Sequence, residues 1–240
     1  MQREKRRPNI RFDILSLFPA YFSTPFSTSI IKRAQDKGFI EINLVDIRSF
    51  AEGRYGQVDD RPYGGGPGMV LMAEPVMKAI RSVKKDKAHV IFLSPQGKRL
   101  HAAQCASFAK KEHIVLLCGH YEGVDERALQ LGVDEEVSIG DYVLTGGEPA
   151  AIVFVDAVIR FIPGVIGHDL AVCQDSFEKE GLFDAPAYTR PAVFEGLEVP
   201  PVLREGNHRM IQCYREQKAL EKTQCVRPDL AHRFKQEKES

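Results

Sequence analysis

What this 240-residue sequence lacks narrows what it can be. It has no continuous run of 18 apolar residues, so nothing in it reads as a membrane span. It has no excess charge of either sign: Lys plus Arg and Asp plus Glu both total 33. No global field therefore draws it to nucleic acid, and any charged partner must be met by local patches. Cysteine is scarce and unpatterned. Cys105, Cys118, Cys173, Cys213 and Cys225 form an odd set without CxxC spacing, which argues against a disulfide framework or a zinc site and for reduced thiols in a cytoplasm. The basic start MQREKRRPN has no apolar stretch behind it and is not a signal peptide. Internal repeats and low-complexity tracts are also absent.

What is there is an alternation of strand and helix signals. Residues 10–18 read as a strand, followed by a helical segment to about Asp36 and a second strand at 39–47. A polar loop spans 48–69. Helices are expected at 73–84 and 101–111, strands at 88–93 and 114–117, and a short helix at 126–131. The pattern indicates an α/β domain with a mostly parallel sheet. Residues 147–161 form its last helix, apolar except for Glu148, Asp156 and Arg160. Such a helix is buried, and in a chain this short a subunit interface is the favoured burial. Residues 162–198 lack periodicity and carry Pro163, Pro186 and Pro191. Residues 204–238 are helical again, with Lys and Arg outnumbering Asp and Glu and with His208 and His232 besides. The expected domains are 1–163, a linker at 164–185 and a small helical domain at 186–240.

The chemistry concentrates in residues 118–151, CGHYEGVDERALQLGVDEEVSIGDYVLTGGEPAA. Glycine-bearing turns follow one another here, and glycine lets main-chain groups approach a ligand closely. With LSPQG at 93–97 they give three turns at strand ends, where ligands of α/β sheets collect. An adenosine-containing ligand is the expected occupant. YGGGPGM at 63–69 suggests a phosphate cradle or an exposed loop in equal measure, since it lacks both the P-loop ending and the dinucleotide glycine spacing. Asp59, Asp60 and Arg61 beside it can serve a polar partner or pair among themselves. Asp156 and Arg160, four residues apart, read first as a helical ion pair, although a guanidinium on an otherwise apolar helix calls for a further reason. Asp175 in CQDSF reads first, on spacing alone, as a helix N-cap or turn residue.

DDRPYGGGPGM, LSPQG, CGHYEGVDER, IGDYVLTGGE, RFIPGVIGH and DSF, in this order, resemble the bacterial tRNA (guanine-37-N1)-methyltransferases of the SPOUT class. The resemblance runs from the first strand to about Gly206. It implies a C-terminal trefoil knot in the α/β domain, S-adenosylmethionine as methyl donor, tRNA as substrate and a homodimer with the active site shared between chains. It implies donor-binding roles for Leu93, Ser94, Pro95, Gly119, Tyr121, Glu122, Ile139, Gly140, Asp141, Tyr142, Val143, Leu144, Gly146 and Gly147. Asp175 falls on the family's general base and Arg160 on its catalytic arginine, with Asp59 and Arg61 on the tRNA side and the C-terminal domain as a tRNA binder. Mg2+ is compatible with this chemistry, but no motif demands it, and no metal ligand set is assigned. Departures are His120, where relatives often carry Arg, Pro149, where Leu is common, and the basic extension before Asn9. A non-catalytic adenosine sensor and a methyltransferase for another RNA site are the rival readings.

Overall fold

A computed structural model of the chain describes residues 9–52, 56–167, 175–177 and 181–232. The basic extension, Cys173 and the chain beyond His232 lie outside the described residues. The chain divides into two compact units, one ending at Gly167 and the other beginning at His168.

In the first unit, β1 (Ile10–Ser16) leads through a 3-10 turn into α1 (Ser23–Phe26), α2 (Ser29–Asp36) and β2 (Ile40–Asp46). A short antiparallel pair, β3 (Asp59–Asp60) and β4 (Val70–Leu71), brackets the glycine-rich segment. There follow α3 (Ala73–Val83), β5 (Ala88–Arg99), α4 (Ala102–Phe108), β6 (His113–Cys118), α5 (Glu126–Gly132), β7 (Glu135–Ser138) and α6 (Glu148–Ile159). Five strands form one sheet in the order β2-β1-β6-β5-β7, and every pairing is parallel.

β6 is buried along its whole length because both faces of the sheet are covered. Its Ile114, Leu116 and Cys118 join the core that also takes residues of α2, α4 and α6. Val115 and Leu117 join the opposite core, with Val76, Ala79 and Ile80 of α3 and Ala128 and Leu129 of α5. A strand buried on both faces reads as an unbroken apolar run, which is why IVLL was visible in the sequence.

Three elements differ from expectation. β7 was not anticipated: EEVS is short and polar except for Val137, and Glu135 faces His89 Nε2 at 3.2 Å rather than a core. With β7 present, β5 does not stop at Leu93. Leu93 pairs with Val137, and after a register shift Lys98 pairs with Val137 again and Arg99 with Ser138. The third correction concerns α6. Its Ala150, Ala151, Phe154, Val155, Val158 and Ile159 are buried in the chain's own core, with the Phe154 ring 5.1 Å from Phe108. Its apolar character is thus accounted for without a second subunit.

In the second unit, a hairpin of β8 (Val193–Phe194) and β9 (Leu197–Glu198) stands where irregular chain was expected. Its two turn residues, Glu195 and Gly196, lie at φ of 50° and 82°, the left-handed pair that a tight hairpin uses. α7 (His208–Val226) is capped by Asn207, which accepts from Met210 N–H at 3.2 Å. The expected helix at 204–238 is interrupted at Arg227–Pro228, because proline lacks the N–H that would continue it. Inside the unit, buried Thr223 accepts from Phe183 N–H at 2.9 Å and so ties residue 183 to α7.

Candidate active site

The C-terminal ends of β5, β6 and β7 open into a cleft of about 370 Å³. Three segments wall it. The first is the register shift within β5 after Leu93, where Ser94 Oγ accepts from Gln96 N–H at 3.1 Å. The second is Gly119–Gly123. Tyr121 sits there at φ 60°, a conformation that costs a non-glycine residue energy and is kept where the surroundings impose it. This turn is held from outside, by Glu122 N–H to Met69 C=O and Leu71 N–H to Gly123 C=O, both 2.9 Å. The third, after Ser138, is pinned by the Ser138 hydroxyl, which donates to Gly140 C=O at 2.9 Å and accepts from Gly140 N–H at 3.2 Å.

The second and third turns are stitched together. Gly147 N–H donates to Gly119 C=O at 2.8 Å, and His120 bridges to Gly146. A Cβ on Gly147 would fall 2.7 Å from Cys118 Cα, so no other residue fits there without moving backbone. Gly147 therefore closes the wall, with its own N–H already engaged, rather than offering that N–H to a ligand.

Thirteen of the fourteen residues expected to hold the methyl donor line this one cleft. The exception is Asp141, whose side chain is 84% exposed and reaches Arg99 at 3.5 Å. Glu126, Glu136, Ser138 and Thr145 also line the cleft and were not singled out from sequence. Glu126 and Thr145 stand inside CGHYEGVDER and IGDYVLTGGE and Ser138 directly before the latter, whereas Glu136 belongs to β7, which was not anticipated. Glu122, Glu126 and Glu136 are among the residues that line it, and no Lys or Arg is. Such a wall favours a cation and opposes a free phosphate. The glycine loop 63–69 does not line the cleft.

Beneath the wall lies a buried polar cluster that sequence reasoning missed. Glu148, 3% exposed, begins α6, where the helix N-terminus favours a carboxylate. It accepts from Ser16 Oγ at 2.7 Å, and Ser16 Oγ in turn accepts from Phe18 N–H at 2.8 Å. A Cβ on Gly146 would lie 2.4 Å from Glu148 Oε2 and 2.8 Å from His120 Nδ1, so both groups crowd this glycine. His120 Nδ1 is enclosed without a hydrogen-bond partner, its ring set edge-on to Phe18 and Tyr121. Burial pushes the Cys118 thiol well up, and the Glu148 charge adds to this, which leaves that thiol inert.

The remaining expected residues lie elsewhere. Arg160 stands half-buried at the end of α6 in the first unit. Asp175 belongs to the second unit, in a segment held by Phe177 N–H to Leu182 C=O at 2.7 Å and by the Ser176 hydroxyl on Asp184. Asp59 pairs with Leu71 across β3–β4, and the Asp60 carboxylate accepts from Arg61 N–H at 2.7 Å. Among the described residues, no three His, Cys, Asp or Glu side chains gather as a metal site, and no helix is long and apolar enough to cross a membrane.

The profile described as tRNA (Guanine-1)-methyltransferase TrmD matches residues 10–233. The chain belongs to this family. It is similar to the tRNA (guanine-N(1)-)-methyltransferase of Protochlamydia amoebophila, 61% identical over 218 residues that cover 91% of this chain and 98% of the relative. The Carboxydothermus hydrogenoformans protein of that name is 49% identical over 221 residues, 92% of this chain and 87% of the relative. A Chlamydia trachomatis protein of that name is 54% identical over 221 residues, which cover 62% of its longer chain.

Proposed function

We propose that the protein transfers the methyl group of S-adenosylmethionine to N1 of guanine 37, beside the anticodon of tRNA, in the cytoplasm. The observation that carries this reading is an acidic cleft walled by backbone at the strand ends of a chain from this family. The residues present fit the donor: three acidic residues and no basic one in the lining suit a sulfonium cation, and the close turns suit a ligand gripped by main-chain groups. S-adenosylmethionine bound there would supply the electrophilic methyl group.

The chain's own residues supply the rest. Guanine N1 carries a proton, and its lone pair is free only once that proton leaves. Asp175 accepts it as general base, and Arg160 stabilises the negative charge that develops on O6. The target base must leave its stack to reach the cleft. Asp59, Arg61 and the basic positions of the second unit meet the RNA, where phosphate contacts supply affinity.

The active form is a homodimer in which Asp175 of one chain serves the cleft of the other. The apolar side chains left exposed around the cleft and on α6 support this: Tyr142 is 54% exposed, Val143 83% and Val153 47%. The first unit carries the family's trefoil knot, a reading supported by close backbone passages. Gly97 packs against the Glu136–Val137 peptide, and Gly147 packs against Cys118 and Gly119. The deciding experiment incubates the purified protein with labelled S-adenosylmethionine and unmodified tRNA and maps the methylated nucleoside. Label on N1 of guanine 37 is expected; label elsewhere, or none, would refute the reading.

A further inference from the structure

Tyr63 is 101% exposed, so its ring contributes nothing to the core of this unit. It is nonetheless presented rather than left loose. Gly65 N–H donates to Pro62 C=O at 3.2 Å, closing a turn with Gly64 at φ 86°, the value a type II turn requires of its third residue. Gly64, Gly65 and Gly66 all have positive φ, and a Cβ on any of them would meet nothing within 4 Å. These glycines are retained for backbone conformation and not for packing.

The other end of the arm is fixed. A Cβ on Gly68 would fall 2.5 Å from Glu122 Cγ, and Met69 C=O accepts from Glu122 N–H. Glu122 lines the cleft. The aromatic ring is thus carried on five residues rooted at the cleft wall, a span of roughly 17 Å at most. Exposed Arg61 stands two residues before it in the chain, and exposed Arg127, which Asp125 grips at 2.9 and 2.6 Å, follows the Gly119–Gly123 turn in which the arm is rooted.

We propose that Tyr63 is an RNA-contacting residue that stacks on an unstacked base of the tRNA near the target guanine. An exposed π face on a segment that also carries exposed arginine is what single-stranded nucleic acid uses, and stacking there replaces part of what the flipped base loses. Tyr63 does not line the cleft, which separates this role from holding the methyl donor. The inference rests on the cleft being the place of methyl transfer.

The chain contains no tryptophan, so Tyr63→Trp creates a single fluorescent reporter at the ring position. Its emission should be quenched on titration with unmodified tRNA and unchanged by S-adenosylmethionine alone. Tyr63→Ala should weaken tRNA binding by about 5- to 150-fold, the range of one stacking contact, with unchanged donor affinity by calorimetry and an unchanged melting temperature. Tyr63→Phe should bind like the native protein, because the ring and not the hydroxyl acts. Native tRNA affinity in Tyr63→Ala, or tRNA binding without quenching, would overturn the inference. Quenching by the donor alone would overturn it too, by making the arm a lid over the donor. Labelling of tRNA by the native protein, measured in parallel, separates failure here from failure of the proposed function.

Discussion

Among the described residues of the first unit, the two buried carboxylates are provided for very differently. Asp13, fully buried on β1, accepts from Arg11 Nε and Nη2 at 2.9 and 2.8 Å, from Asn43 Nδ2 at 2.7 Å, and meets His113 Nε2 at 2.6 Å. Its partners come from β1, β2 and β6, and neither it nor they line the cleft. Glu148, beneath the cleft wall, has Ser16, a helix N-terminus and a neighbouring cleft-lining imidazole, that of His120, whose Nδ1 is unpaired. A saturated network locks three strands in register and leaves nothing free to react. An unsaturated one costs stability and keeps polar atoms available, the usual condition of a working site. Stability and chemistry should therefore separate on mutation.

The largest expected effect is on chemistry alone. Asp175→Asn should slow single-turnover methyl transfer by about 10²–10⁴-fold while the unfolding midpoint and donor affinity stay native. Mixed with Arg160→Ala chains whose own transfer is impaired, it also probes the composite site. If Asp175 and Arg160 serve one cleft from different chains, one site in the heterodimer has both parts and activity returns; no recovery in proven heterodimers would refute the shared arrangement.

Next comes stability alone. Asp13→Ala strips the partner from Arg11 and His113 and should cost about 3 kcal/mol in urea unfolding, with donor affinity unchanged. The same network sets a pH dependence. Burial pushes the Asp13 carboxyl up, but hydrogen bonds from Arg11, Asn43 and His113, with the Arg11 charge, outweigh it and hold it below its usual value. A carboxyl lowered in the folded state stabilises above its unfolded value, near pH 4, and that contribution is lost as pH falls through the folded value. Native protein should lose stability below about pH 4, and Asp13→Ala should show a shallower acid limb. An identical limb in both would break the contrast.

Glu148→Gln should cost less, about 1 kcal/mol, since an amide still accepts from Ser16 and only the charge at the helix N-terminus is lost. A cost as large as that of Asp13→Ala would erase the difference between the two sites. Smallest for the fold is Val153→Glu on the exposed side of α6. Its melting temperature should move by no more than a few degrees, yet sedimentation should show a shift from dimer to monomer. Val155→Glu cannot make this distinction, because a charge placed at a fully buried position unfolds the unit.

The alternation of apolar runs and glycine turns was enough to read a parallel α/β unit, because β6 is buried along its whole length and β1 and β5 carry apolar runs beside it. The ordered motifs from Asp59 to Phe177 were enough to place the chain in its family and to gather thirteen residues that share one cleft. Local pattern could not reveal β7, whose pairing with both Leu93 and Lys98 depends on chain 40 residues away. Nor could it tell that α6 is buried by its own sheet, since an apolar helix looks the same whichever surface covers it. The acidic lining of the cleft, the bond that consumes the Gly147 N–H and the Ser16–Glu148 contact across 132 residues exist only once strand ends from distant parts of the sequence meet. Periodicity records which face of an element is covered; which element covers it, and which polar atoms remain unpaired there, is decided by tertiary packing.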